Sequence, residues 1–251
     1  MVKLNRKLLS KLNSDTIRFQ NNIINRLKLY VFAKSAIGYY CKDQKNKLVG
    51  YNFKDFKKKF EMVDFKRGKE IKSIHYKEII NVGNDFVENE LADSIFVLNM
   101  SAFEHWLLTI LKIKLLETPR DSFYHSDRKI DISIIVEVND LCELRERVVD
   151  DYLLKFNYSN MRDKLKTFLK NFKINQSKIT RNSIENINEN SFCRNIIVHN
   201  QKKVNMIYIN NCGKFARFKD GDIIKISEDI LFEQGDNLLR FMQDFRKNVK
   251  L

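Results

Sequence analysis

The hydrophobic positions of this chain repeat with a helical period along most of its length. Over residues 3–31, Leu4, Leu8 and Leu12, then Ile23, Ile24, Leu27 and Val31, recur at the spacing of one helix face and predict a first helix. After a loop around Gly50, "FKDFKKKF" places Phe53, Phe56 and Phe60 at i, i+3 and i+7, with Lys54, Lys57, Lys58 and Lys59 around them. This predicts an amphipathic helix with a basic outer face. "KRGKE" (Lys66 to Glu70) reads as a turn. From about Asn84 to Glu117 runs the longest element the pattern predicts. Leu91, Ile95, Leu98, Ala102 and Trp106 form one stripe on it, and Phe96, Met100, Phe103 and Leu107 a second. A helix apolar on two sides packs between neighbours in a bundle.

Pro119 closes that helix, and the polar stretch "TPRDSFYHSDRK" connects it to the next. Leu141, Leu144, Val148, Tyr152 and Phe156 define one further helix. Met161, Leu165, Phe168, Leu169 and Phe172 define another, and weaker periodicity over Asn182 to Asn200 a third. The period then changes. "VNMIYINNCGKFARFKDGDIIKIS" alternates and carries turn signals at Asn211–Gly213 and Asp220–Gly221, so a small β-hairpin with a short return strand is expected there. Ser227 caps a last helix bearing Ile230, Leu231, Leu238, Leu239, Phe241, Met242 and Phe245. The fold class expected is mostly α: a helical bundle with a small β-hairpin near the C-terminus.

Composition agrees with long helices. Seven glycines and a single proline in 251 residues leave few places to break one. The longest apolar run without a charge lies between Asp93 and Glu104, shorter than the roughly 20 residues that cross a bilayer. Charges also interrupt the N-terminal "MVKLNRKLLSKLNSD", which lacks a signal peptide's apolar core. A cytoplasmic protein without a membrane partner is expected. Cys41, Cys142, Cys193 and Cys212 share no C-x-x-C spacing and read as free thiols rather than a disulfide framework or zinc site. No metal or other cofactor is expected.

Charge divides the chain in two. Residues 1–80 carry 20 Lys and Arg against 7 Asp and Glu, while residues 81–251 carry 26 against 25. Almost all of the net charge of +14 therefore sits in the first third. The organisation expected is a basic, mainly helical N-terminal segment (1–80) followed by a helical domain (81–251). A basic segment of this kind suits a polyanion, nucleic acid above all, or is a solvated lysine-rich surface.

The candidate chemistry lies in "SFCRNIIVHNQKKV", Ser191 to Val204. Arg194, Asn195 and His199 bracket the apolar Ile196, Ile197 and Val198. Asn195 stands one turn before His199 on the same helical face, where it can orient the imidazole. Glu104 interrupts the apolar run of the long helix; it orients Arg194 if the two helices pack together, and is a solvated edge charge if they do not. Lys202 and Lys203 join Lys54, Lys57, Lys58 and Lys59 as candidate RNA contacts. His75, His105 and His125 have no partner pattern, and Cys193 reads as a packing residue.

The order of elements and the motif "RNIIVHN" (Arg194 to Asn200) resemble the HEPN superfamily. These are helical-bundle domains marked by an Arg, often followed by a polar residue, with a His four to six residues on. The resemblance covers roughly residues 84–250, with "SAFEHWLLTILKIKL" in the place of the first bundle helix. It implies a metal-independent endoribonuclease of toxin or antiviral (abortive-infection) systems, acting as a homodimer with a composite active site. His199 would serve as general base or acid at the ribose 2′-hydroxyl and the leaving 5′-oxygen, and Arg194 would hold the scissile phosphate. An antitoxin or sensor partner is implied too. Some members carry a tyrosine two residues after the histidine, nucleotidylated by the antitoxin. Here Gln201 stands there, and Tyr208 is too distant to replace it. Two other readings are compatible with the same residues: a non-catalytic module that binds RNA or a partner, and an interaction protein that uses the bundle only to dimerise.

Overall fold

Residues 8, 12, 16, 19, 23, 27 and 30 of the first helix are all buried, one unbroken face at three- and four-residue intervals. The computed structural model describes residues 6–47, 63–64, 69–70, 82–117 and 140–249. Helix α1 (Arg6–Lys47) is 42 residues long, well beyond the expected 3–31, and exceeds the element expected to be longest. Its face is completed by Thr16, Phe19 and Tyr30, while Val31 points to solvent. Two residue pairs, Val63–Asp64 (β1) and Lys69–Glu70 (β2), run antiparallel. Lys54, Lys57, Lys58 and Lys59 lie outside the described residues, as do His75, Pro119 and His125.

A six-residue π-helical turn, Phe86–Leu91, leads into α2 (Ala92–Glu117). Phe96, Met100, Phe103 and Leu107, the second predicted stripe of α2, are fully buried; of the first stripe Ile95 and Trp106 are buried, Leu91 and Ala102 partly buried, and Leu98 half exposed. The span Val82–Glu117 has the length and apolar composition to cross a membrane. Here that apolar surface is spent on neighbouring helices: α2 packs on α1, on α3 (Leu141–Tyr158), on α5 (Ser183–His199) and on α7 (Glu228–Asn248).

Helix α4 (Met161–Asn171) and the short α6 (Met206–Cys212) both lean on α5. All seven helices of the described residues contribute to one hydrophobic core, so the chain is a mostly α-helical bundle and residues of α1 belong to the same core as those after 81. Trp106 lies at its centre, with the rings of Phe103, Phe168 and Phe245 at 5.4, 5.4 and 5.5 Å. Its indole Nε1 donates to Thr16 Oγ1 of α1 at 3.2 Å, and that hydroxyl donates to Leu12 O. A buried indole N–H needs such a partner. Gly235 lets α7 approach α1: a β-carbon there would come within 2.7 Å of Leu27 Cδ1.

The C-terminal hairpin is not formed. Met206 to Cys212 is helical: the Asn205 side chain accepts from Tyr208 N at 3.1 Å as an N-cap, and Tyr208 and Cys212, four apart, share the buried face. The first expected turn, at Gly213, ends this helix with φ +54°; the second, at Gly221, is a turn with φ +84°. What remains of the sheet is a clamp. Val204 N donates to Asp222 O, Gly221 N to Val204 O, and Ile224 N to Lys202 O. Ser227 caps α7 as expected, its hydroxyl accepting from Ile230 N.

Candidate functional site

Helix α5 carries the Arg194–His199 motif, and its first half is packed on several sides. Ser183, Asn188, Glu189, Asn190 and Ser191 are all buried, which explains why its hydrophobic periodicity is weak. Glu189 and Asn190 are satisfied instead by partners. The Glu189 carboxylate accepts from Tyr208 Oη at 2.6 Å and from Cys193 Sγ at 3.0 Å, and pairs with Arg217, which also donates to Asn190. Tyr208 Oη in turn accepts from Arg217 N at 2.9 Å. Burial, together with the neighbouring carboxylate, pushes the Cys193 thiol and the Tyr208 hydroxyl far above their ordinary ranges, and burial takes the Cys212 thiol up to about 12. Cys193 is thus a packing and hydrogen-bonding residue, with its thiolate disfavoured. One turn earlier on the helix, the Arg162 Nε donates to both oxygens of Glu185, at 3.1 and 2.8 Å.

Arg194 emerges one turn later. Its side chain is one-quarter exposed and faces α2, where Glu104, one-fifth exposed, places Oε2 3.9 Å from Nη2. Nη1 donates to Asn195 Oδ1 at 2.9 Å. Nε is buried and has no hydrogen-bond partner. The structure therefore brings Arg194, Asn195 and Glu104 together. Asn195 is engaged with the arginine and not with His199, contrary to the orienting role read from helical spacing.

His199 is the last residue of α5 and its side chain is exposed. The helix ends there because Asn200 N and Lys202 N both donate to Ile196 O while Gln201 and Lys202 take left-handed conformations, φ +49° and +65°. Two consecutive non-glycine residues with positive φ are costly and need support. It comes from Lys202, whose ammonium pairs with the buried Asp93 of α2 and whose carbonyl accepts from Ile224 N. Burial raises the Asp93 carboxyl above its ordinary range, with Lys202 opposing that shift. Lys202, expected to meet RNA, is committed to the protein, whereas Lys203 is exposed. His105, exposed on α2, stacks edge-on against Phe19 at 5.6 Å.

Sequence reasoning passed over Lys164. This α4 residue is 8% exposed, lies near both Arg194 and Glu104, and has no hydrogen-bond or ion-pair partner for its ammonium among the described residues. Burial holds that ammonium below the ordinary lysine range; Glu104 opposes the shift and Arg194 adds to it. The signal was present in the sequence: Lys164 falls three residues after Met161 and one before Leu165, on the apolar stripe of its helix.

Among the described residues no three His, Cys, Asp or Glu side chains are grouped to hold a metal ion. No protein-family model, curated protein or solved structure matches the chain.

Proposed function

We propose that this protein is a metal-independent endoribonuclease that works as a homodimer in the cytoplasm, in a toxin or antiviral role restrained by a partner. One observation carries the reading: Arg194 is held in place by Glu104 and Asn195 with one N–H unused, while His199 stands exposed at the end of the same helix. An oriented guanidinium and an accessible imidazole are the groups that phosphodiester cleavage by the ribose 2′-hydroxyl requires.

His199 of one protomer takes the proton of the 2′-hydroxyl, whose oxygen attacks the adjacent phosphorus. The P–O5′ bond breaks, and an imidazolium returns a proton to the leaving oxygen. The products are a 2′,3′-cyclic phosphate and a 5′-hydroxyl. Arg194 lies against the non-bridging oxygens and stabilises the charge that builds on them. The nucleophile belongs to the substrate, so no metal-bound water is needed.

Two protomers are needed because residues five apart on a helix point about 140° away from each other. Across a two-fold axis the arginine of one copy meets the histidine of the other. The exposed Val198 beside His199, with Met206, Ile207 and Ile223 close by in the chain or the clamp, provides apolar surface for such a contact.

The test is incubation of wild type, Arg194→Ala and His199→Ala with mixed cellular RNA in excess EDTA. Cleavage by wild type alone, leaving cyclic-phosphate ends, is expected. Cleavage that needs added metal, or that survives in His199→Ala, would overturn the proposal.

A further inference from the structure

Helix α2 meets the motif segment at two points. Asp93 and Glu104 lie eleven residues apart on it, which is three turns and about 20° of rotation, so both carboxylates leave one face of α2 roughly 16 Å apart. Glu104 reaches Arg194 within α5, and Asp93 reaches Lys202, three residues beyond the end of that helix. His199 lies between the two anchors in the chain. Among the described residues its own side chain makes no hydrogen bond or ion pair, so the imidazole has only the place that the backbone on either side gives it. The two anchors also differ. The Glu104–Arg194 pair is loose and partly solvated, whereas the Asp93 carboxylate is more than nine-tenths buried.

What Asp93 holds is a strained segment. Gln201 and Lys202 take positive φ without being glycine, a conformation that persists only where the surroundings impose it. Lys202 is fixed by its amide, which donates to Ile196 O at 3.2 Å, by its carbonyl, which accepts from Ile224 N at 2.8 Å, and by its ammonium on Asp93. The backbone contacts tie the segment to α5 and to the clamp. The ion pair ties it to α2, the helix that also carries Glu104. A buried carboxylate is a poor source of net stability, because desolvation offsets most of its attraction to a partner. What this one supplies is a fixed position. We infer that Asp93 is a positioning residue for His199: through Lys202 it sets where α5 ends, and with Glu104 it holds the imidazole and the Arg194 guanidinium in one register against α2. The part His199 plays in cleavage rests on the proposed function; its placement by Asp93 does not.

The test compares the full wild-type chain with Asp93→Asn and with Asp93→Asn/Lys202→Met, which removes both charges and leaves no carboxylate buried alone. Amide hydrogen exchange is read residue by residue by NMR, well below the melting temperature, together with the imidazole signals of His199, assigned by their absence in His199→Ala. In both variants the amides of Asn200, Lys202 and Ile224 are expected to exchange about tenfold faster, while Phe192 and Cys193 in the body of α5 keep their protection. The His199 signals should shift. Cleavage should lose about tenfold in kcat with KM within about twofold, since RNA still binds but the imidazole is no longer held. Unchanged exchange in both variants, or faster exchange spread evenly over α5, would overturn the inference whether or not the protein cuts RNA. Local loosening with kcat unchanged would overturn the positioning role. RNA left intact by wild type would count against the proposed function alone, and exchange and the imidazole signals would then decide on Asp93 by themselves.

Discussion

Glu104 on α2 holds Arg194 on α5 from a position 90 residues away in the chain, across the contact between the two helices. The pair is one-fifth to one-quarter exposed, so its strength lies between that of a surface pair and a buried one. Neutralising it as Glu104→Gln leaves the Arg194 guanidinium without its counter-charge. A loss of about 1–2 kcal/mol is expected, visible as a lower denaturant midpoint. RNA cleavage should fall by about tenfold or more, because the guanidinium loses its orientation. An unchanged midpoint would mean that the pair is too solvated to matter.

The proposed trans arrangement of Arg194 and His199 predicts complementation. Arg194→Ala and His199→Ala, each inactive alone, should recover part of the wild-type cleavage when denatured together and refolded as mixed dimers. A His199→Ala protein should lose about 10²–10⁴ in rate while its thermal midpoint stays within about a degree of wild type, since the side chain is exposed. No recovery on mixing would place both residues of a working site in one chain.

The Lys164 ammonium predicts a pH dependence. Burial keeps its pKa below that of an unfolded lysine, so the folded chain sheds this proton more readily than the unfolded one. Its cost is full at neutral pH and shrinks as pH rises through the folded value toward the ordinary lysine value of about 10.4. Lys164→Met should be more stable than wild type by about 1–2 kcal/mol at pH 7, and that advantage should narrow toward pH 10. Melts of the two proteins at both ends of this range measure it; a constant difference counts against a buried charge.

Glu189 predicts the largest stability effect. Its carboxylate is 2–3% exposed and serves Tyr208, Cys193 and Arg217 at once. Glu189→Gln strands part of the Arg217 charge and should cost about 3 kcal/mol, or roughly 6–12 °C in Tm. Cys193→Ala removes only a weak donor and a small packed side chain, and should cost less, about 1–2 kcal/mol. Equal losses in the two would indicate that packing, and not the carboxylate, organises this end of α5.

The close approach of α7 to α1 predicts coupling between Gly235 and Leu27. Gly235→Val should destabilise by about 1–3 kcal/mol through overpacking, and Leu27→Ala in the same chain should recover part of that loss. Simple additivity in the double variant would show that the clash is relieved elsewhere.

Much of the architecture was legible because the helices that form the core are regularly striped. The buried positions of α2, α4 and α7 follow the spacing read from Phe96, Leu165 and Leu238. The hairpin was misread for a physical reason. Val204, Met206 and Tyr208 alternate like a strand, but Tyr208 and Cys212 are also four apart and Asn205 supplies a helix cap, and burial of that pair against α5 selects the helix. Arg194 and His199 could be picked out as candidates from local spacing. Their surroundings could not, since Glu104, Lys164 and the Asp93 that restrains Lys202 reach the site only when α2, α4 and α5 pack together. The weak stripe of α5 was itself informative: it is the pattern of a helix whose buried face is polar and satisfied by Glu189, Tyr208 and Arg217.

The first helix has a consequence for how the chain is made. The apolar face of α1 is covered by α2 and α7, and Lys34 and Gln20 meet Glu228 and Arg246 at the far end of the sequence. At about 5–20 residues per second, translation takes roughly 10–40 s to reach α7 after α1 is complete. Throughout that interval Leu12, Phe19 and Ile23 lack their final cover. The bundle, and with it the seat of α5, closes only once α7 is available. Through that interval the apolar face of α1 is open to chaperones.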